Sequence, residues 1–340
     1  VSALEIRPLD AHDEEALAAW HATYLAGDTY GRAQATPWML EEMRADFTGS
    51  RTGERFLPFS GHADGTVVAA GLLVLPLLDN LTLAHAEWWT HPDHRRRGHG
   101  SAMLEHLTRV AREHGRTTLG TETSFPFDAP ADGAGHPHAD FLTHRGFTFA
   151  LGNVMRVLPL PPDLDLVRRR AEEAAPYHSD YTLRRFVGPV PDDIVLPFGA
   201  LIGSLMTEAP LGAKNREAEV FDEERIRSDE AVFAASGRTK YTTVAIAPDG
   251  AVVAYSEVVV PRYDPDVVYQ WGTLVLDGHR GHRLGMATKA HNLLWLVEQE
   301  PDRSRLVTFN AEVNRHMIAV NEALGFRPVE RHAEFEKELG

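Results

Sequence analysis

The feature that most constrains this chain is that its central motif is written twice. The stretch Thr90-His-Pro-Asp-His-Arg95-Arg96-Arg97-Gly98-His99-Gly100-Ser101 recurs as Val275-Leu-Asp-Gly-His-Arg280-Gly281-His282-Arg283-Leu284-Gly285-Met286. Thr90 to Val275 and Gly100 to Gly285 are both 185 residues apart, so the two copies align without a gap. What surrounds them repeats as well. Strand-like Ala3–Leu9 has a counterpart in Tyr181–Phe186, and helical Pro37–Phe47 has counterparts in Asp192–Ser204 and Asp222–Ser236. Phe56–Ser60 turns through Asp64-Gly65 into Val67–Leu75, and Tyr241–Ala247 turns through Asp249-Gly250 into Val252–Val260. Asp-Gly between β-rich runs is a strong hairpin signal. Strands Leu81–Thr90 and Val267–Val275, amphipathic helices Ser101–His114 and Met286–Glu300, and strands Thr117–Thr121 and Arg305–Phe309 then follow in the same order.

A period this long belongs to a duplicated domain rather than to a solenoid. The expected fold class is α/β, in two similar domains, each a mixed, mostly antiparallel sheet with helices on both faces. Pro159-Leu-Pro-Pro162 opens a linker in which Leu164–Ala175 reads as a short charged helix. The expected division is residues 1–160, a linker at 161–180, and residues 181–340.

Composition narrows the function. There is no cysteine among the 340 residues, which removes disulfides, thiolate nucleophiles and cysteine-bound zinc. The 49 acidic residues outnumber 34 Lys+Arg for a formal charge of −15, which disfavours nucleic acid and anionic membrane and permits a cationic small molecule. No apolar run reaches membrane-spanning length, and no charged-then-apolar leader occurs at Val1–Trp20, so the expectation is a cytoplasmic protein. Eighteen histidines include the close pairs His91/His94, His136/His138 and His279/His282. None has a third ligand at metal-binding spacing, so no metal is expected.

Each repeated turn ends a strand and begins a helix. The first helical amides lack carbonyl partners, and with the positive end of the helix dipole they form a seat for a pyrophosphate. Neighbouring arginines can pair with phosphate oxygens. At this point the chain resembles the GCN5-related N-acetyltransferase (GNAT) family, whose pyrophosphate loop follows Arg/Gln-x-x-Gly-x-Gly/Ala. Arg95, Gly98 and Gly100 match it fully; Arg280 and Gly285 match, with Arg283 where the middle glycine is expected. That side chain must point away from the phosphates or use its guanidinium on one. A second family motif, a helix ending in a Gly-Phe turn, is seen in Asn310–Phe326 and, more weakly, in Ala139–Phe147.

The resemblance implies acetyl-CoA as co-substrate, lying between the fourth and fifth strands of a domain, and direct attack on the thioester by the amine of a small-molecule acceptor. The implied cofactor-binding residues are Trp89, Thr90, Arg95, Arg96, Arg97, Gly98, His99, Gly100 and Ser101 in the first half. In the second they are Leu274, Val275, Arg280, Gly281, His282, Arg283, Leu284, Gly285, Met286, Asn310 and Asn314. Glu87 and Glu257 are the candidate general bases, each a carboxylate in an otherwise apolar strand; Tyr255 and Tyr269 are candidates to shape the acceptor pocket. The tyrosine that the family often uses to protonate the departing thiolate is replaced by Leu142 and by Asn321, so Asn321 is a candidate to hydrogen-bond CoA and the second half is expected to be catalytic. The tandem layout is also similar to that of mycothiol-synthase-like members, which would imply a cysteinyl-sugar acceptor. A non-catalytic acyl-CoA-binding protein is the reading from another class.

Overall fold

The structure is a computed structural model in which residues 4–208 and 210–340 are described. The expected strand at Ala3–Leu9 forms as β1 (Glu5–Pro8), Ala3 lying outside the described residues. In the first half there follow α1 (Glu14–Thr29), α2 (Leu40–Thr48), β2 (Glu54–Ala63), β3 (Thr66–Pro76), β4 (Leu83–Thr90), α3 (His99–Glu113), β5 (Thr118–Pro126), α4 (Pro137–His144) and β6 (Thr148–Pro159). The second half runs α5 (Leu164–Ala174), β7 (Thr182–Val187), α6 (Val195–Gly203), α7 (Leu205–Glu208), α8 (Glu223–Ala235), β8 (Arg238–Ile246), β9 (Val252–Pro261), β10 (Val267–Val275), α9 (Leu284–Gln299), β11 (Arg305–Ala311), α10 (Arg315–Ala323) and β12 (Arg327–Glu338).

Contacts divide the chain into two compact units. The first holds the residues up to Phe125, Ala129–Leu151 and Ala333–Gly340; the second holds Pro126–Asp128 and Gly152–His332. In the first unit the strand order is β1-β2-β3-β4-β5 followed by the end of β12; in the second it is β6-β11-β10-β9-β8-β7. Neighbours are antiparallel from β1 to β4, between β6 and β11, and from β10 to β7, while β4/β5 and β10/β11 are parallel. This is the mixed, mostly antiparallel arrangement expected for each copy.

The division differs from a linker at 161–180. Helix α5 is part of the second unit, because Val167, Ala171 and Ala174 recur at helical spacing and are buried. Val167 and Ala171 join the core formed by Leu293, Leu296 and Val320.

Helices cover both faces of each sheet. In the first unit Met103, Leu104 and Leu107 of α3 pack with Ala84, Ala86 and Leu119. On the opposite face Trp20 and Tyr24 of α1 pack with Ala70 and Leu72, and the Trp20 indole N–H donates to the Phe59 carbonyl at 2.8 Å. Asp13 starts α1 by accepting from the amides of Glu15 and Ala16. In the second unit Phe198 and Leu201 of α6 pack with Val244, Tyr255 and Leu274. On its other face Leu293 and Leu296 of α9 pack with Val258, Val268 and Leu306.

Candidate active site

In each unit the parallel pair separates before its strands end. β4 and β5 pair from Leu83↔Thr118 to His85↔Gly120, and β10 and β11 from Val267↔Arg305 to Gln270↔Thr308. Beyond those positions the strands have no partner in each other, which opens a wedge between Ala86–Thr90 and Thr121–Phe125 in one unit. In the other the wedge lies between Trp271–Val275 and Phe309–Ala311. The helix after the turn begins at the mouth of this wedge.

The two turns share a backbone but not a sequence. In the first, Arg96 (φ 62°) and Gly98 (φ 87°) are left-handed; in the second, Gly281 (φ 88°) and Arg283 (φ 51°) are. These are the same two positions at the 185-residue offset, with glycine and arginine exchanged. The left-handed region costs an L-residue roughly 1–2 kcal/mol, so each loop bears one such residue and relieves the other with glycine. The α3 ladder begins with Ala102 N–H to the Gly98 carbonyl and the α9 ladder with Ala287 N–H to the Arg283 carbonyl. The amides of His99, Gly100 and Ser101, and of Leu284, Gly285 and Met286, are thereby left without helical acceptors.

Gly100 and Gly285 lie where helix meets strand. A Cβ on Gly100 would sit 3.4 Å from Thr90 Oγ1, and one on Gly285 would sit 3.5 Å from Val275 Cγ2.

Most of the arginines expected at the phosphates are already engaged. Arg95 donates to the Thr90 carbonyl at 3.2 Å and the Gly27 carbonyl at 3.1 Å, with its guanidinium 4.5 Å from the Tyr30 ring centre. Arg97 donates to the Asp93 carbonyl, and Arg96 is exposed. Arg280 pairs with Glu208 and Asp277, both at 2.8 Å. Arg283 points away from the helix start: it donates to the Glu173 carbonyl at 3.0 Å and lies 4.0 Å from the Tyr177 ring centre. His282 is held by the Tyr177 carbonyl at 3.0 Å. His99 is buried, and burial first, then His94 and Arg97, lowers its pKa below the usual histidine value.

Trp88 and Trp89 face opposite ways. Trp89 packs edge-on against Trp20 and Tyr24 in the core under α1, so only its backbone faces the turn. Trp88 is on the α3 side, 6.3 Å from Phe141 of α4. Arg145, after α4, donates to Ser101 and lies 5.0 Å from the Phe141 ring centre. In the second unit the residues at the positions of Trp88 and Ser101 are Thr273 and Met286.

The β10 wedge has one further device. Gln270 pairs with Val258 but Thr273 with Ser256, so β10 carries an extra residue there, a bulge at Trp271-Gly272. The β3/β4 register runs unbroken from Val74↔His85 to Ala69↔Thr90. Gln270 braces the bulge from below, its Nε2 donating to the Glu257 carbonyl at 2.6 Å and to Ser256 Oγ at 3.2 Å. Gly272 leaves the room this ring needs, since a Cβ there would fall 2.2 Å from the Tyr255 hydroxyl and force it to shift. That hydroxyl is buried, and burial, then the Glu257 charge, raises its pKa above the usual tyrosine value. Tyr269 is buried in the sheet opposite Val259.

The two candidate bases differ in setting. Glu257 is buried and 3.4 Å from Lys240 Nζ, which in turn lies 4.5 Å from the Phe233 ring centre. Glu87 is half-buried with His85 Nε2 at 3.4 Å. Burial alone would lower the pKa of His85; the bond to Glu87 and the charges of Glu87, Glu122 and Glu334 outweigh it and raise the value above the ordinary one.

Asn321 is wholly buried, its Nδ2 donating to Asn310 Oδ1 and its own Oδ1 without a partner. Asn314 caps α10 by accepting from Met317 N–H at 3.1 Å. Sequence reasoning passed over Lys289, Asn292 and Gly272. The signal for Lys289 was its place in the apolar stripe of α9, four residues after Gly285. Among the described residues no group of three or more His, Asp or Glu is placed to hold a metal, and no helix is long and apolar enough to cross a membrane.

Residues 18–132 match the acetyltransferase (GNAT) family model. No curated protein matches the chain at a significant level. Among solved structures, a tandem GNAT protein from the clavulanic acid biosynthesis pathway is similar over 99% of both chains, at 27% identity and a TM-score of 0.78. A GCN5-related N-acetyltransferase from Sphaerobacter thermophilus is similar in fold over 99% of this chain and 96% of its own, at 11% identity and a TM-score of 0.63. So is an acetyltransferase described as putative in Pyrococcus horikoshii, over 98% and 89%, at 10% identity and a TM-score of 0.55.

Proposed function

The chain carries a GNAT-family N-acetyltransferase domain and the whole-length fold of a tandem GNAT protein, and on that premise we propose that its second unit moves an acetyl group from acetyl-CoA to the primary amine of a small molecule. The observation that carries this reading is the β10 bulge at Trp271-Gly272, found beside the open wedge in the second unit and absent from the equivalent register of the first. A bulge re-aims backbone amides that a regular ladder would occupy, and such amides stabilise the oxyanion formed when an amine attacks a thioester.

The pyrophosphate would rest on the amides of Leu284, Gly285 and Met286, with Asn310 and Asn314 lining the other side of the wedge. Acetyl-CoA supplies the activated acyl group. Glu257, 3.4 Å from Lys240 on the strand beside the bulge, would receive the ammonium proton, directly or through water. An acid surface of formal charge −15 is compatible with a cationic acceptor. The first unit keeps the loop geometry but sets Trp88, Phe141 and Arg145 against the start of α3, and we read it as the non-transferring copy.

The experiment is a titration of acetyl-CoA against the whole protein and its Gly285→Glu and Gly100→Glu variants, with thiol release measured over a panel of amines. Loss of binding and release in Gly285→Glu alone supports the second unit. Full transfer by Gly285→Glu with loss in Gly100→Glu reverses the assignment, and tight CoA binding with no release for any amine identifies a binding protein instead.

A further inference from the structure

The cores beside the two wedges are built from opposite materials. Helices α3 and α9 start 185 residues apart, so Met103, Leu104 and Leu107 correspond to Thr288, Lys289 and Asn292. Leu142 and Asn321 each precede the phenylalanine of the Gly-Phe turn by five residues. The four first-unit residues are a buried apolar cluster. Their four polar counterparts are buried as deeply, at 2% exposure or less.

This polar seam is incompletely satisfied. Asn292 donates to the carbonyls of Tyr241 and Ser256, but its Oδ1 has no partner, and neither has the Oδ1 of Asn321. On β6, Arg156 stands opposite Thr308, on the sheet face that also carries Asn310; it is buried with its Nε and one Nη unpartnered. Lys289, 2% exposed, has its Nζ 5.5 Å from the centre of the Phe326 ring. Buried polar atoms without partners are rare and costly, whereas the first unit shows that the same position accepts leucine. Something other than packing selects these residues.

Lys289 follows Gly285 by one helical turn, on the same face of α9. It therefore lies one turn below the helix start that would hold the pyrophosphate, against Phe326, whose backbone amide donates to the Asn321 carbonyl at 3.1 Å. Asn321 approaches the second-unit wedge from α10 through Asn310. Resting on the second unit as the transferring site, we propose that Lys289 is a catalytic acid that protonates the departing CoA sulfur, with Asn321 and Asn310 as positioning residues.

The step balances within the groups named. The acceptor nitrogen forms its bond to the acetyl carbon, the carbon–sulfur bond breaks with its electron pair going to sulfur, and an Nζ–H proton of Lys289 moves to that sulfur. The new amide nitrogen sheds one proton, and Lys289 is recharged with one from solvent. Burial alone lowers the Lys289 pKa to about 7, with no charged group contributing; the Glu322 charge on α10 acts on Arg156 of β6 instead. An ammonium of that acidity gives up its proton readily near neutrality.

Lys289→Met tests this in the full chain, since methionine fills the same volume in a site where the first unit holds leucine. Acetyl-CoA affinity is measured by calorimetry, and thiol release from pH 5.5 to 9 with the best amine of the panel, or with water where no amine turns over. Affinity within about twofold, release slowed about 10²–10⁴-fold, and disappearance of the fall in rate above about pH 7 are expected. Unchanged release with an unchanged pH profile overturns the proposal. So does loss of acetyl-CoA binding in a variant that melts cooperatively, which makes Lys289 a ligand rather than an acid. If the unaltered protein binds no acetyl-CoA, or Gly285→Glu leaves binding intact, the placement of the site in the second unit fails instead.

Discussion

Gly98 and Arg283 occupy the same left-handed position of two equivalent turns, at φ 87° and 51°, and only the arginine has its side chain tied down, to the Glu173 carbonyl and the Tyr177 ring. The strain of the arginine backbone is thus offset by contacts that glycine cannot make. Arg283→Gly removes both and should change stability by less than about 1 kcal/mol, whereas Arg283→Ala keeps the strain, loses the contacts and should cost about 1–2 kcal/mol. Urea unfolding midpoints of the two variants provide the comparison.

The Lys289 amine also marks stability with a pH signature. Its folded pKa of about 7 lies below the 10.5 of an exposed lysine, so between those values the unfolded chain holds a proton that the folded chain lacks. Stability from this group is full above about pH 10.5 and falls as pH drops to about 7, below which the deficit is constant. Lys289→Met should therefore stabilise the protein by about 2–4 kcal/mol at pH 7, and the gain should shrink steadily toward pH 10. Thermal melts at pH 7, 8.5 and 10 read it directly; a pH-independent difference would contradict the buried amine.

Gly272 and Tyr255 form a coupled pair. Gly272→Ala drives a methyl into the tyrosine hydroxyl and ring and should cost about 1–3 kcal/mol, as overpacking does. Tyr255→Phe removes the nearest atom, so the double variant should be less unstable than the sum of the singles by about 0.5–1.5 kcal/mol. Denaturant unfolding of the four proteins closes the cycle.

The two buried asparagines of the seam should respond differently to leucine. Asn292 satisfies two buried carbonyls, and Asn292→Leu should cost about 2–3 kcal/mol by stranding them. Asn321 satisfies only the partly exposed Asn310, and Asn321→Leu, which restores the residue of the first unit, should lie within about 1 kcal/mol of the parent. Tm values settle the ranking.

Much of the fold was legible because its signals are local. The Asp-Gly hairpins, the glycine-bearing turns and the amphipathic helices α3 and α9 all declare themselves within a dozen residues. Membership of the compact units was not legible, because it depends on which distant strand a segment meets: Ala333, Phe335 and Leu339 alternate as any strand does, yet join the core of Leu104 and Phe147. At the site, the backbone of both loops could be expected from sequence, but not the destinations of Arg95 and Arg283. Long side chains choose among carbonyls and rings that only the tertiary structure brings near, such as Gly27 and Tyr177. Lys289 escaped notice because a helical stripe at core spacing conceals a charged residue as easily as it reveals an apolar one.

The placement of residues 333–340 in the first unit sets an order of events during synthesis. Phe335 and Leu339 are buried core of that unit, and the Leu339 amide donates to the Thr117 carbonyl at 2.7 Å. Synthesis up to residue 160 has made both a hairpin sheet and its helices, but leaves β5 and this part of the core uncovered. The first unit is therefore completed only after the second has been made.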